Sequence, residues 1–191
     1  MKKGASGPVL KEEKSKFVRL LAWALIVTIA ATQGLADPDG GAFGQGEVSP
    51  LVSFLGGLHP FSVHFPVALI CAAALFETIF LIGKAENAAS TAFHCLALGA
   101  SISILSVILG LMASESGPFI GEDAETLWTH RLFGLISCGL LLLTTYIAAR
   151  SRRQKNQNNL RILYRVLLYL TTVIVLITAL FGSKLTGLAP F

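Results

Sequence analysis

The 191-residue chain is 53% hydrophobic and only 14% charged, where a soluble domain carries about 25% charge. Its mean hydropathy of +0.69 excludes an ordinary water-soluble domain. The net charge of +4 is not a nucleic-acid signal, because the bases cluster at 2–19 and 150–165, beside apolar runs, as membrane topology requires.

Residues 1–36 open with Lys2, Lys3, Lys11, Lys14, Lys16 and Arg19, continue through an uncharged stretch at 20–31, and end on small residues at Gly34 and Ala36. This is the three-part form of a secretory signal peptide. An uncleaved N-terminal anchor helix is the alternative, although the apolar core is shorter than the ~20 residues a spanning helix wants. Residues 37–57 hold six glycines, two prolines and three acids without a base, which reads as an extracytoplasmic linker. Residues 58–191 then form one domain with four long apolar segments, at about 60–82, 91–112, 127–149 and 161–182. At 1.5 Å rise per residue each spans a hydrocarbon core of about 30 Å. Backbone groups in lipid must be bonded internally, so each segment is expected to be a helix. The fold class is therefore all-α, an integral membrane four-helix bundle preceded by a signal peptide or signal anchor.

Loop charge sets the expected orientation. Residues 150–161 carry five bases and no acid, residues 113–126 four acids and no base. Residues 150–161 and 83–90 are expected to be cytoplasmic; residues 37–57, 113–126 and the C-terminus are expected to be periplasmic in a bacterial inner membrane. Thirteen of fifteen bases then lie inside and seven of eleven acids outside.

Chemistry-bearing residues are few. Cys71, Cys95 and Cys138 lie far apart in apolar runs, with no CxxC or CxxCH, so disulfides, thiolate zinc and covalently attached haem are unsupported. No nucleophile–base pairing or phosphate loop is visible, and no independent catalytic activity is expected. The histidines are the main signal. His59 and His64 begin the first membrane helix and His130 the third, all at the expected outer level. His94 and Glu77 share the opposite level. Ionisable groups inside membrane segments are costly and face the bundle interior, and two neutral imidazoles from different helices can hold a haem iron. His64 and His130 are the expected axial pair of a b-type haem, with His59 in support. Glu77 and His94 form a second, inner-side pair. Pro66 leaves the Ser62 carbonyl without its helical donor, and a loosened turn is expected there. Small residues line two helices: Gly99, Ser103, Ser106 and Gly110 on one, Gly134, Ser137, Cys138 and Leu141 on the other. A weak internal repeat is suggested by His64 and Cys71 recurring as His130 and Cys138, with an offset that drifts upward from 66 residues.

The stretch Leu58-His59-Pro60-Phe61-Ser62-Val63-His64-Phe65-Pro66 resembles a bacterial predicted membrane protein family of unknown function that shares an L-H-P-x-x-V-H-F-P motif. The likeness extends over about 51–190, through the four-helix layout and Trp128-Thr129-His130-Arg131. Such relatives often stand beside or are fused to c-type cytochrome modules, which implies redox company for this chain. Relatives commonly end the last helix on a Gly-His-x-Gly-Gly-like turn. Here the place reads Phe181-Gly182-Ser183-Lys184-Leu185-Thr186-Gly187, and a ligand held there in relatives has no counterpart.

Three functions follow as expectations. The first is an electron-transfer subunit binding haem b and meeting a periplasmic c-type cytochrome or respiratory complex subunits. The second is a non-catalytic scaffold or accessory subunit of such a complex. The third, with least support, is metal ion or proton transport. The lipid bilayer is a partner in all three, and nucleic acid in none.

Overall fold

The computed structural model describes residues 48–116, 119–154 and 157–186. The expected signal segment and the first part of the expected linker lie outside the described residues. Five helices appear in order: α1 (Pro50–Gly57), α2 (His59–Gly83), α3 (Glu86–Glu115), α4 (Glu122–Arg153) and α5 (Asn158–Leu185). Among the described residues the fold is all-helical, and four spans are long and apolar enough to cross a membrane.

Helix α1 occupies part of the expected linker. Pro50 suits a first helical position, and the Ser49 hydroxyl caps the helix by accepting from Val52 N at 3.3 Å. Its Gly56 is buried because a side chain would not fit: a Cβ there would lie 2.7 Å from the Ala113 backbone on α3. The four long helices overrun the apolar segments by up to a turn and a half at each end. Polar residues such as Glu86, Asp123 and Arg153 continue the helices. Helix α2 runs unbroken through Pro66. The loosened turn expected there is absent: Pro66 is buried, and its carbonyl lies beside Gly99 of α3. Lys84 adopts the left-handed conformation (φ 53°) and closes α2 by donating to Phe80 O at 2.8 Å, leaving two residues to reach α3.

Helices α2 and α3 form one hairpin and α4 and α5 another. Each hairpin touches the other on both sides, α3 against α4 and α2 against α5. The interior is small and partly polar. Ile70, Leu96, Leu141 and Leu168 fill it together with fully buried Thr144 and Thr171, whose hydroxyls meet at 3.1 Å. Large apolar side chains point outward instead, among them Leu75, Ile82, Leu98 and Val166. Lipid tails are as apolar as leucine, so membrane helices associate through small residues and shared hydrogen bonds, and their greasy faces stay outside.

The two hairpins repeat each other. Buried Pro66, Ile70, Ala73 and Glu77 of α2 correspond to buried Ser137, Leu141, Thr144 and Ala148 of α4, 71 residues on. Buried Ala92, Leu96, Gly99 and Ser103 of α3 correspond to buried Tyr164, Leu168, Thr171 and Val175 of α5, 72 residues on. One extra residue in the second hairpin's connection accounts for the difference. This correspondence is not the His64/Cys71 to His130/Cys138 repeat suggested by the sequence. Its partner for His130 is His59, not His64, and Cys71 and Cys138 are not equivalent.

Candidate functional site: a histidine pair at one end of the bundle

The buried stripe of α2 runs Ser62, Pro66, Ile70, Ala73, Glu77. One step of three residues back from Ser62 lies His59, the first residue of the helix. His64 is two residues off the stripe. The structure follows the stripe. His59 and His130 face one another with ring centres 6.1 Å apart and planes at 70°. His64 is exposed, and its Nδ1 bonds to the Pro60 carbonyl of its own helix. The expected His64–His130 pair is thus corrected to His59–His130, with His64 outside it.

Both rings are held in the same way. His59 Nδ1 donates to Ser106 O on α3 at 2.9 Å, and His130 Nδ1 donates to Thr178 O on α5 at 3.0 Å. A carbonyl only accepts, so each Nδ1 carries a proton, and in the neutral ring each Nε2 keeps its lone pair. Four residues beyond each carbonyl stands a glycine. A Cβ at Gly110 would sit 2.7 Å from His59 Cε1, and one at Gly182 would sit 2.9 Å from His130 Cε1. Histidine, carbonyl and glycine therefore recur as a unit in both hairpins: His59, Ser106 and Gly110, then His130, Thr178 and Gly182.

One detail breaks the equivalence. The Thr178 hydroxyl donates to Ile174 O and meets the Ser137 hydroxyl at 2.9 Å. The Ser106 hydroxyl is buried with no hydrogen-bond partner. Buried polar atoms are nearly always paired, so the hydroxyl of the residue that holds His59 is an exception to that rule. Two imidazoles bound to one ion at about 2.0–2.1 Å place their ring centres roughly 5–6.5 Å apart, depending on the bond angle. The observed separation lies in that range. Among the described residues no cluster of three or more His, Cys, Asp or Glu side chains is present.

The second expected pair is also rearranged. Glu77 is 3% exposed and accepts from Arg165 Nε at 2.8 Å and from the Tyr164 hydroxyl at 3.1 Å. His94 is exposed, and its Nδ1 donates to Ser90 O at 2.7 Å on its own helix. The Glu77–His94 pair is thus corrected to Glu77–Arg165–Tyr164. The sequence reasoning missed Arg165, Tyr164, Thr178 and Gly182, and placed Ser106 and Gly110 on a small-residue stripe without linking them to a histidine. Counting back from Glu77 in steps of three and four picks out His59. Sliding the sequence by 71 and 72 residues picks out the two glycines.

Among curated proteins and among solved structures no match was found. A family model does match, over residues 56–187, which takes in all four long helices and both histidines of the pair. The chain belongs to the family described as predicted membrane protein (DUF2231).

Proposed function

We propose that this chain is a membrane redox subunit in which His59 and His130 bind the iron of a b-type haem. The observation that carries the reading is the matched pair: two imidazoles 6.1 Å apart, each with Nδ1–H tied to a carbonyl of the neighbouring helix. Neutral imidazoles with their tautomer set are the donors that haem iron takes. When bound, the haem supplies one-electron chemistry. The protein's part is to hold both rings, through Ser106 and Thr178, and to let each ring pack against a helix backbone, through Gly110 and Gly182. Loop charge supports a bacterial inner-membrane location with the histidine end outward, where a periplasmic c-type cytochrome or a respiratory subunit would exchange the electron.

The test is a reduced-minus-oxidised optical spectrum of the full chain, purified in detergent from haem-replete cells. The expected result is a Soret band that is lost in His59→Ala and in His130→Ala and retained in His64→Ala. A colourless, iron-free wild-type preparation refutes the proposal. A second reading rests on the same hydrogen bonds taken as braces, since each ties one helix of a hairpin to the other. In that case the chain is an accessory scaffold, and His59→Ala and His130→Ala lower the melting temperature of a protein that binds no chromophore.

A further inference from the structure

At the opposite end of the bundle the four long helices line a half-open cavity of about 290 Å³, close to the lower limit of about 300 Å³ for small-molecule sites. Arg152, Arg161 and Arg165 line it, with Phe80, Phe93 and Tyr164. Glu77 and Glu86 are its carboxylates. Arginines near helix ends ordinarily extend into water; Arg152 and Arg161 are exposed here and Arg165 is half-buried. Arg165 Nε is bonded to Glu77 at 2.8 Å, and its guanidinium lies over the Phe80 ring at 5.8 Å. Arg152 donates to Ala89 O at 3.2 Å and lies over Phe93 at 4.9 Å. By contrast Arg150, on the same helix end as Arg152, bonds to Tyr146 at 3.1 Å and lies outside the cavity.

Glu77 is met by Arg165 and Tyr164. With three arginines and two glutamates on its lining, the cavity carries one positive charge in excess. A guanidinium presents a planar fork that matches phosphate oxygens two at a time. Phe80, Phe93, Ala89 and Ala148 give the same cavity apolar walls. Cationic forks beside aromatic walls, at the end of a membrane bundle, suit an amphiphile with a phosphate head.

We propose that this cavity binds a phosphate-bearing anion, presented as the headgroup of an anionic phospholipid or as free phosphate. The site is independent of the histidine pair, and haem binding does not bear on it.

The test uses the delipidated full chain in neutral detergent, with melting temperature and native mass spectrometry as readouts. The probes are dihexanoyl phosphatidylglycerol, dihexanoyl phosphatidylcholine and inorganic phosphate. The expected result is that phosphatidylglycerol raises the melting temperature and is retained as one bound molecule, while phosphatidylcholine does neither. Inorganic phosphate matching phosphatidylglycerol supports the site and assigns it to the free anion; a weaker phosphate effect supports it and assigns it to the lipid. The double variant R152Q/R161Q is expected to bind about tenfold more weakly through lost charge-assisted hydrogen bonds, and Arg150→Gln to bind as the wild type does. If the double variant does not fold, Arg161→Lys serves, with charge kept and the fork removed; it is expected to bind about threefold more weakly. The proposal is overturned if neither phosphatidylglycerol nor phosphate shifts the wild type, if phosphatidylcholine does as well, or if the folded variant binds like the wild type.

Discussion

Substituting Gly110 by alanine tests the packing of the histidine pair directly. The new Cβ would lie 2.7, 3.0 and 3.2 Å from His59 Cε1, Nδ1 and Nε2. The ring must retreat by at least half an ångström to reach ordinary contact. Overpacking of this kind costs about 1–3 kcal/mol. The retreat also strains the 2.9 Å bond to Ser106 O, worth about 0.5–1.5 kcal/mol. In water a gain of about 1 kcal/mol in helix propensity would offset part of this. In a micelle the separated helices remain helical, so that gain largely cancels. At Gly182 the corresponding distances are 2.9, 3.4 and 3.6 Å, and the cost falls to about 1 kcal/mol, the low end of overpacking. At Gly139 a Cβ meets nothing within 4 Å, and the cost is about zero. The expected order of destabilisation is Gly110→Ala, then Gly182→Ala, then Gly139→Ala. Thermal melting in detergent, followed through Trp128, reads it. At roughly 2–4 °C per kcal/mol, Gly110→Ala melts several degrees below the wild type. Equal melting of Gly110→Ala and Gly139→Ala would refute the reasoning.

Gly56 faces backbone and not a movable ring, with Ala113 Cα and N both 2.7 Å from the position a Cβ would take; Gly56→Ala is therefore expected to lift α1 from α3, read as faster amide exchange across 50–57 with α4 and α5 unchanged. Thr144 and Thr171 share a buried hydrogen bond at 3.1 Å. Either Thr→Val change alone leaves an orphan and costs about 1–3 kcal/mol, while the double change is expected to cost less than the sum, with a coupling near 0.6 kcal/mol. Arg165→Leu strands a carboxylate that is 4% exposed, whereas Glu77→Leu leaves a guanidinium that is 28% exposed and can turn to water. The first is expected to cost about 3–5 kcal/mol and the second clearly less; equal losses in melting experiments would contradict the assignment of Glu77 as the buried partner.

The helices were legible because hydropathy and length are averages over some twenty residues, and averages survive local error. The pairing of individual side chains was not, because it depends on which face of each helix turns inward. For α2 that face is set by small and polar residues, Ser62, Pro66 and Ala73 with Ile70, which carry little hydropathy contrast. The motif drew attention to His64 through its neighbours in sequence. Burial selects His59 through its neighbours along the helix. His94 and Glu77 were matched by depth alone, yet depth leaves rotation open, and Arg165 reaches the same level from α5. The proline was over-read: losing one hydrogen bond does not oblige a helix to bend when tight packing holds it on both sides of the gap.

The repeat of one hairpin by the other has a consequence for origin and for engineering. A single hairpin carrying one histidine, one accepting carbonyl and one glycine would build the same two-imidazole site by pairing with a copy of itself. Joining two copies in one chain removes the obligation to stay identical. The histidine end has kept its equivalence, His59 with His130 and Gly110 with Gly182. At the arginine end Ala89 and Phe93 stand where the second copy has Arg161 and Arg165, and Glu77 stands where it has Ala148. That end uses a freedom that only a fused gene allows, since in a homodimer every arginine gained would face its own duplicate.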